Sequence, residues 1–367
     1  RTANPPGNET EAVEVLLDRL DASPVEFETE VQEVEPGRSN LIARAGDPDG
    51  GRLLLTGHTD VVPAVDEEWT GDPFELRREG DRIVGRGTSD MKCAVAAKVV
   101  AAESYLTDDP NGEVILALVM GEERGGLGTD ALCRSGIEAD GAILGEPTDL
   151  DVGVAHKGAQ RFYLTVRGRA AHSGRPDKGV SAIRKLGRVL SAVEELDAEM
   201  RAETHPLLYP ASTVTVTEIE GGIAPNVVPS SARATVDWRH SPGMATDPEW
   251  FDDRLREALS GLELDGEPIE VEIDHWGVGR AVEVPEDAAV VEAVGAAARD
   301  LGLSGEHVGF NAGTDARFLV HDADIPTVLF GPGHIEEDAH TADESIDVPD
   351  LVTTARVYRR ALERFFG

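Results

Sequence analysis

Several apolar runs in this sequence stop abruptly at histidines and acids. Leu53-Leu-Leu-Thr-Gly57 ends in His58-Thr59-Asp60, Ile115-Leu-Ala-Leu-Val-Met-Gly121 ends in Glu122-Glu123, and Ala142-Ile-Leu-Gly145 ends in Glu146. Thr327-Val-Leu-Phe-Gly331 leads by a short loop to His340, and Asp90 stands just before Met91, where a helical pattern begins. If the runs are strands, these groups collect outside their carboxyl ends, where open α/β sheets bind ligands. Two imidazoles with the carboxylates of Asp60, Asp90, Glu122, Glu123 and Glu146 form a donor mixture suited to zinc or a related divalent ion. Singly, each has a bland explanation. Asp90 could N-cap its helix, and Glu122-Glu123 could be a solvated turn. Their coincidence at the ends of several apolar runs points to a metal centre.

Holding such groups together takes a sheet. Arg52–His58, Glu113 to Glu123 and Asp140 to Thr148 contain short buried strands, separated by helical patterns at Met91–Leu106 and Gly128–Gly136. This alternation predicts an α/β fold whose sheet is mixed but largely parallel and flanked by helices. Residues 11–20 form a short amphipathic helix ahead of it. After Lys157 the pattern changes. Strands are expected at Arg161–Arg169, Ser212–Ile219, Ser231–Arg239 and Pro268–His275, with helices at Ser181–Ala202 and Pro248–Leu262. That β-α-β-β-α-β order is the ferredoxin-like α+β sandwich. A helix at Asp287–Leu301, a strand at Ile325–Gly331 and a helix at Val348–Phe366 then complete the first domain. The expected organisation is a discontinuous metal-binding domain, 1–157 and 276–367, interrupted by an insert at 158–275.

With these motifs in view, the sequence resembles the dinuclear zinc metallopeptidase and deacylase family that includes acetylornithine deacetylase, succinyl-diaminopimelate desuccinylase, aminoacylase and the glutamate carboxypeptidases. The matching segments are Gly57-His-Thr-Asp-Val-Val-Pro63, Gly85-Arg-Gly-Thr-Ser-Asp-Met-Lys92, Gly121-Glu-Glu123, Gly145-Glu-Pro-Thr148, Ala171-His-Ser-Gly174, Gly313-Thr-Asp-Ala-Arg317 and His340-Thr-Ala-Asp-Glu344. The resemblance implies two Zn2+ per chain, with Co2+ or Mn2+ as possible substitutes. His58 and Glu146 would ligate one ion, Glu123 and His340 the other, and Asp90 both. It further implies that Asp60 orients His58 and that Glu122 is the general base. The insert would be a dimerisation and lid domain, whose His172 reaches a partner's active site to stabilise the oxyanion. Asn226, Arg239, Gly313, Thr314 and Arg317 match positions associated with substrate binding. The implied activity is hydrolysis of the amide of an N-acyl amino acid, of the acetylornithine or succinyl-diaminopimelate type. A di- or tripeptide exopeptidase using the same metals is the alternative. Glu146, where some peptidase members carry Asp, leans toward the deacylases, and Cys93 departs from the glycine that often follows Met-Lys.

A metal-binding protein without catalysis would not need Glu122 or Asp60. A cysteine hydrolase would need a base beside Cys93, and nothing in the sequence places one there. The two cysteines, Cys93 and Cys133, make no disulfide framework and read as small buried hydrophobes, so a cytoplasmic location is expected. No signal-peptide pattern occurs in the residues given, and no apolar run approaches a membrane span.

The charge is extreme. Asp and Glu number 70 against 34 Lys and Arg, a formal net charge of −36. Only five of the basic residues are lysines: Lys92, Lys98, Lys157, Lys178 and Lys185. Nonspecific nucleic-acid binding is disfavoured because the electrostatic term has the wrong sign. Self-repulsion of this size opposes a compact state at low ionic strength and is largely screened at molar salt, where the Debye length is about 3 Å. The expectation is a protein adapted to a high-salt cytoplasm. Its melting temperature should therefore rise between about 0.1 M and 3 M salt. A thermal denaturation series that is flat across that range refutes the adaptation while leaving the metal chemistry untouched.

Overall fold

The computed structural model describes residues 1–108, 111–243 and 248–367. The chain forms two compact units. One comprises Arg1–Val154, Val284–Gly309 and Thr314–Gly367, the other Ala155–Glu283 and Phe310–Gly313. The second unit thus begins before the expected insert, ends after it and also takes in the short return at 310–313.

The first unit is built on a twisted sheet. Seven of its nine strands among the described residues are β1 (Glu28–Glu35), β2 (Arg38–Gly46), β3 (Arg52–His58), β4 (Glu113–Val119), β5 (Gly141–Leu144), β6 (Val152–His156) and β7 (Thr327–Leu329); the other two, Val282–Glu283 and His307–Phe310, pair with β6. The seven lie in the order β1-β2-β4-β3-β5-β7-β6. The four central strands, β4-β3-β5-β7, are mutually parallel. The flanking pairs β1/β2, β2/β4 and β6/β7 are antiparallel. The centre is parallel because helices connect its strands and cover both faces. Leu54, Ile115, Ala117 and Val119 pack with Leu132 and Leu319 from the helices Leu127–Arg134 and Ala316–Asp322. The opposite face is covered by the helices Cys93–Leu106, Ala289–Asp300 and Val348–Phe366. Leu53, Leu54 and Leu55 are consequently all fully buried. This is why the central strands read as continuous apolar runs and not as alternating ones.

The edge was less legible. The β1 sequence, Glu28-Thr-Glu-Val-Gln-Glu-Val-Glu35, is mostly exposed. Its charge suits an edge strand and hides it from a search for apolar runs. A small sheet of Arg77–Glu79, Arg82–Val84 and Ser345–Asp347 was also not marked by the sequence, since three-residue strands have almost no pattern.

The second unit contains four antiparallel strands in the order Ser212–Gly221, Ser231–His240, Gly158–Arg167, Val271–Gly279. Its helices are Ala182–Arg201 and Pro248–Leu259, so the element order and sheet order are those of a ferredoxin-like sandwich. Gly158–Arg167 alternates buried and partly exposed positions. Its inward Phe162, Leu164 and Val166 meet Leu186, Val189 and Val193 from the first helix and Phe251 and Leu255 from the second. Trp238 stacks on Phe251 with ring centroids 3.9 Å apart. Burying side chains of this size is worth roughly 1.5–3 kcal/mol each relative to exposure. Ser181 caps the longer helix by accepting from the Arg184 N–H. The last strand begins and ends later than expected and carries an irregularity between His275 and Gly277. No described helix is long and apolar enough to cross a membrane.

Candidate metal centre

Parallel strands present their carboxyl ends on one side, so residues that follow β3, β4, β5 and β7 emerge together. His58 is the last residue of β3. Glu122 and Glu123 open a single helical turn just after β4. Glu146 follows β5 by two residues, and His340 lies in the long loop after β7. Asp90 approaches from the turn that precedes the helix Cys93–Leu106. Its neighbour Met91 is wedged between strand ends and needs glycines there. A Cβ on Gly57 or Gly145 would come within 2.6 or 2.5 Å of the Met91 methyl.

The side chains converge closely. His58 Nε2 lies 2.8 Å from Asp90 Oδ1, and His340 Nε2 lies 3.3 Å from Asp90 Oδ2. His340 Nε2 is also 3.2 Å from Glu123 Oε2. Ligand atoms from His58, Asp90 and Glu123 fall within 4.8 Å of one another, and this is a metal-competent group among the described residues. His58, Asp90 and Glu146 are buried, whereas His340 is half exposed and forms the open side.

Asp60 holds this arrangement from behind. His58 Nδ1 faces its backbone oxygen at 3.0 Å and its Oδ1 at 3.5 Å. The same carboxylate accepts from the Glu122 N–H at 3.1 Å, the Glu123 N–H at 3.3 Å and Asn4 Nδ2 at 2.9 Å. One buried side chain thus fixes the ring of His58 and the turn bearing Glu122 and Glu123. Asn4 belongs to an N-terminal segment that sequence patterning did not connect to the site. Only the fold brings it there, through a bridge between Ala3 and Val61.

The electrostatics match a site for positive charge. Burial opposes the charged form of His58, but the carboxylates of Asp60 and Asp90 outweigh it and hold the imidazole well above its usual range. Asp90 and Glu123 raise His340 to about 10. Burial, reinforced by Asp90, pushes Glu146 up to about 8. Glu146 Oε1 is buried with no hydrogen-bond partner. The donor set therefore fits a divalent cation: converging imidazoles and carboxylates, a buried oxygen without a protein donor, and acids in excess of bases. Burial, then Asp315, raises Glu122 well above the ordinary carboxylate range. That shift suits a group that must take up and release a proton.

Asp315 is a further buried carboxylate the sequence reading did not single out, although it lies inside the Gly313–Arg317 motif. Its Oδ2 accepts from Thr129 Oγ1 at 2.6 Å, and its Oδ1 has no hydrogen-bond donor but lies 3.9 Å from Arg317 Nη2. The remaining expected residues are distributed as follows. Thr314 is buried, and its hydroxyl accepts from the Ala316 N–H. Arg317 donates to the backbone oxygens of Thr314 and Gly125, so its fork braces the turn after Glu123. In the second unit, Gly313 lies against the Lys157 backbone oxygen. Arg239 is paired with Asp237, which also accepts from Arg161. His172 is exposed on a short strand, and its Nδ1 accepts from the Gly174 N–H at 3.0 Å. A neutral ring there carries its proton on Nε2. The Ser173 N–H donates to the Asn226 backbone oxygen, placing Asn226 beside the His172 segment.

Residues 54–364 match peptidase family M20/M25/M40. The chain belongs to this family. It is 35% identical over 333 residues to an acetylornithine deacetylase from Myxococcus xanthus, covering 89% of this chain and 84% of that one. It is 32% identical over 372 residues to a probable carboxypeptidase from Aspergillus clavatus, covering 97% and 84%. A tripeptidase structure from Staphylococcus aureus superposes with a TM-score of 0.79 over 98% of this chain and 93% of that one, at 21% identity, which bears on the fold. As an M20-family member, the chain is a metal-dependent amidohydrolase. The family resemblance read from the motifs and the mixed α/β architecture both hold.

Because Asp60 ties three site segments together, Asp60→Ala should keep the fold but lower metal affinity by about 10–100-fold. Metal content after graded chelator dialysis, read beside the far-ultraviolet circular dichroism, checks this. Unchanged metal retention would show that the His58 ring needs no support from Asp60.

Proposed function

We propose that this M20-family enzyme removes the acyl group from an N-acyl amino acid, of the acetylornithine type, at a site holding two Zn2+ ions. The carrying observation is Asp90: its two oxygens are divided between His58 and His340, as a carboxylate shared by two ion positions would be. His58 and Glu146 would complete one position, and Glu123 and His340 the other. The ions, when bound, supply Lewis acidity to a water and to the scissile carbonyl. Co2+ or Mn2+ would serve in the same donor set.

Glu122 removes a proton from the attacking water as the water oxygen bonds to the carbonyl carbon. It then returns that proton to the amine nitrogen as the carbon–nitrogen bond breaks. Its adjacency to Glu123 places it beside the ions without making it a ligand, and Asp60 fixes both residues through their N–H groups. His172, from the insert of a second copy in a homodimer, donates a hydrogen bond from its Nε2–H to the carbonyl oxygen as negative charge develops there. Support for that role is the Gly174 N–H, which selects the tautomer with a donor at Nε2. Substrate selection would fall to Asn226, Arg239 and Gly313, while Thr314 and Arg317 act through the backbone they brace. The acidic excess of this sequence supports a high-salt cytoplasm as its setting.

The decisive assay is hydrolysis by the purified protein, in high salt with added zinc or cobalt, of N-acetylornithine, N-succinyl-diaminopimelate and a dipeptide panel. Turnover confined to the peptides would favour the exopeptidase reading that the carboxypeptidase relative suggests. Glu122→Gln should keep metal and fold but lose about 10²–10⁴-fold in turnover, because the amide cannot accept the water's proton. Substantial retained turnover would sink its role as base.

His172→Ala should keep metal and lose about 10²–10³-fold in kcat. Mixed with Glu122→Gln, it should recover activity, since one site of a mixed dimer then has its own Glu122 and the partner's His172. A verified mixed dimer without recovery would exclude action across the dimer.

A further inference from the structure

Glu344 lies four residues beyond His340 and is buried at 1% exposure. Its carboxylate is surrounded by donors from one loop. Oε1 accepts from the N–H groups of Ser89 and Asp90 at 2.8 and 3.0 Å. Oε2 accepts from the Gly87 N–H at 3.0 Å and from Arg86 Nη1 at 2.7 Å. Its backbone oxygen accepts from the Gly85 N–H at 2.9 Å and from Thr88 Oγ1 at 3.1 Å. Immediately beyond it, Ser345–Asp347 pairs antiparallel with Arg82–Val84. The segment that carries His340 is therefore laced, from Glu344 to Asp347, to the chain from Arg82 to Asp90.

Asp90 sits in a backbone that does not hold itself. Asp90 and Met91 have non-helical torsions within an otherwise helical turn, and, as with the first N–H groups of any helix, the Asp90 N–H needs an acceptor from outside it. It finds that acceptor on Glu344.

We propose that Glu344 is a positioning residue that sets the Asp90 carboxylate between the two ion positions and keeps it in register with His340. The inference rests on the reading of Asp90 as the shared ligand. Glu344 touches neither ion nor substrate. It acts by fixing the backbone on which one ligand stands to the segment on which another stands.

The chemistry requires a carboxylate at this position. All the groups that meet Glu344 Oε1 and Oε2 are donors. A glutamine could satisfy one side with its oxygen, but its NH2 would face N–H groups on the other. Either the Ser89 and Asp90 N–H groups or the Gly87 N–H and the buried Arg86 guanidinium would lose their acceptor. An aspartate keeps the charge and both oxygens but is one methylene shorter.

The test uses the full-length protein loaded with cobalt(II). Glu344→Gln should weaken metal retention against a chelator by about 10–100-fold, lower the stoichiometry below that of the parent, and alter the visible spectrum of the ions that remain. Glu344→Asp should restore part of the retention. Leu132→Ala serves as the control for mere destabilisation, since Leu132 is a core residue of the same unit and packs in the cluster of Leu54, Ile115 and Leu319. It should lower the melting temperature yet keep the parent's stoichiometry and spectrum. If Glu344→Gln holds metal as the parent does, or loses it only as far as Leu132→Ala at the same melting temperature, the inference is overturned. Asp90→Ala run in parallel separates the two ideas. Full occupancy at two ions in Asp90→Ala overturns the shared-ligand reading itself, whereas loss there with retention in Glu344→Gln overturns only the role of Glu344.

Discussion

The site depends on how its buried carboxylates are paid for in hydrogen bonds. Desolvating a carboxylate costs several kcal/mol unless donors meet it, and here Asp60, Asp90, Glu146, Asp315 and Glu344 are all buried. Asp60 and Glu344 are each met by backbone N–H groups, three of them in the case of Glu344. Backbone donors cannot be turned away by a rotamer change, so the acid and the loop that meets it fix one another. Asp90 and Glu146 are different. The partners of Asp90 are imidazoles, and one Glu146 oxygen has none. The acids thus divide into those met by backbone N–H donors, which set geometry, and those that face imidazoles or lack a donor, which fit a cation.

That division explains the local sequence. A buried acid held by backbone N–H groups needs a turn that points several of them inward, and such turns need special torsions. Gly87 and Gly121 have positive φ, at 88° and 77°, and they stand beside the N–H groups that serve Glu344 and Asp60. His340 itself has a φ of 61°, unusual for a residue with a side chain. The segment following it is anchored at Asp343 by Thr70 and Arg77 and at Glu344 by the loop before Asp90.

The acidic surface works by a different rule. Its ion pairs mostly involve arginine, among them Arg184 with Asp265 and Arg360 and Arg364 with Asp300, and they are largely exposed. Exposed pairs contribute about 0–1 kcal/mol each. They do not offset a formal charge of −36.

The sequence by itself determined the elements that hold the ligands. The runs at Leu53–Gly57, Ile115–Gly121 and Ala142–Gly145 are short, apolar throughout and bounded by turn residues, so they read as buried strands, and parallel strands bring the polar groups at their ends to a common edge. The ferredoxin-like order was legible for the same reason, because amphipathic period and strand alternation are local. What the sequence could not show is which buried acid answers to which donor. Asn4 reaches Asp60 across 56 residues, Glu344 reaches the Asp90 N–H across 254, and Arg317 ends on the Gly125 carbonyl and not in open solvent. The charged strand Glu28–Glu35 carries no apolar signal because an edge needs no apolar run. Pattern reveals what a segment must bury. The partners of a buried polar group are chosen by geometry across the sheet, and only the tertiary structure supplies it.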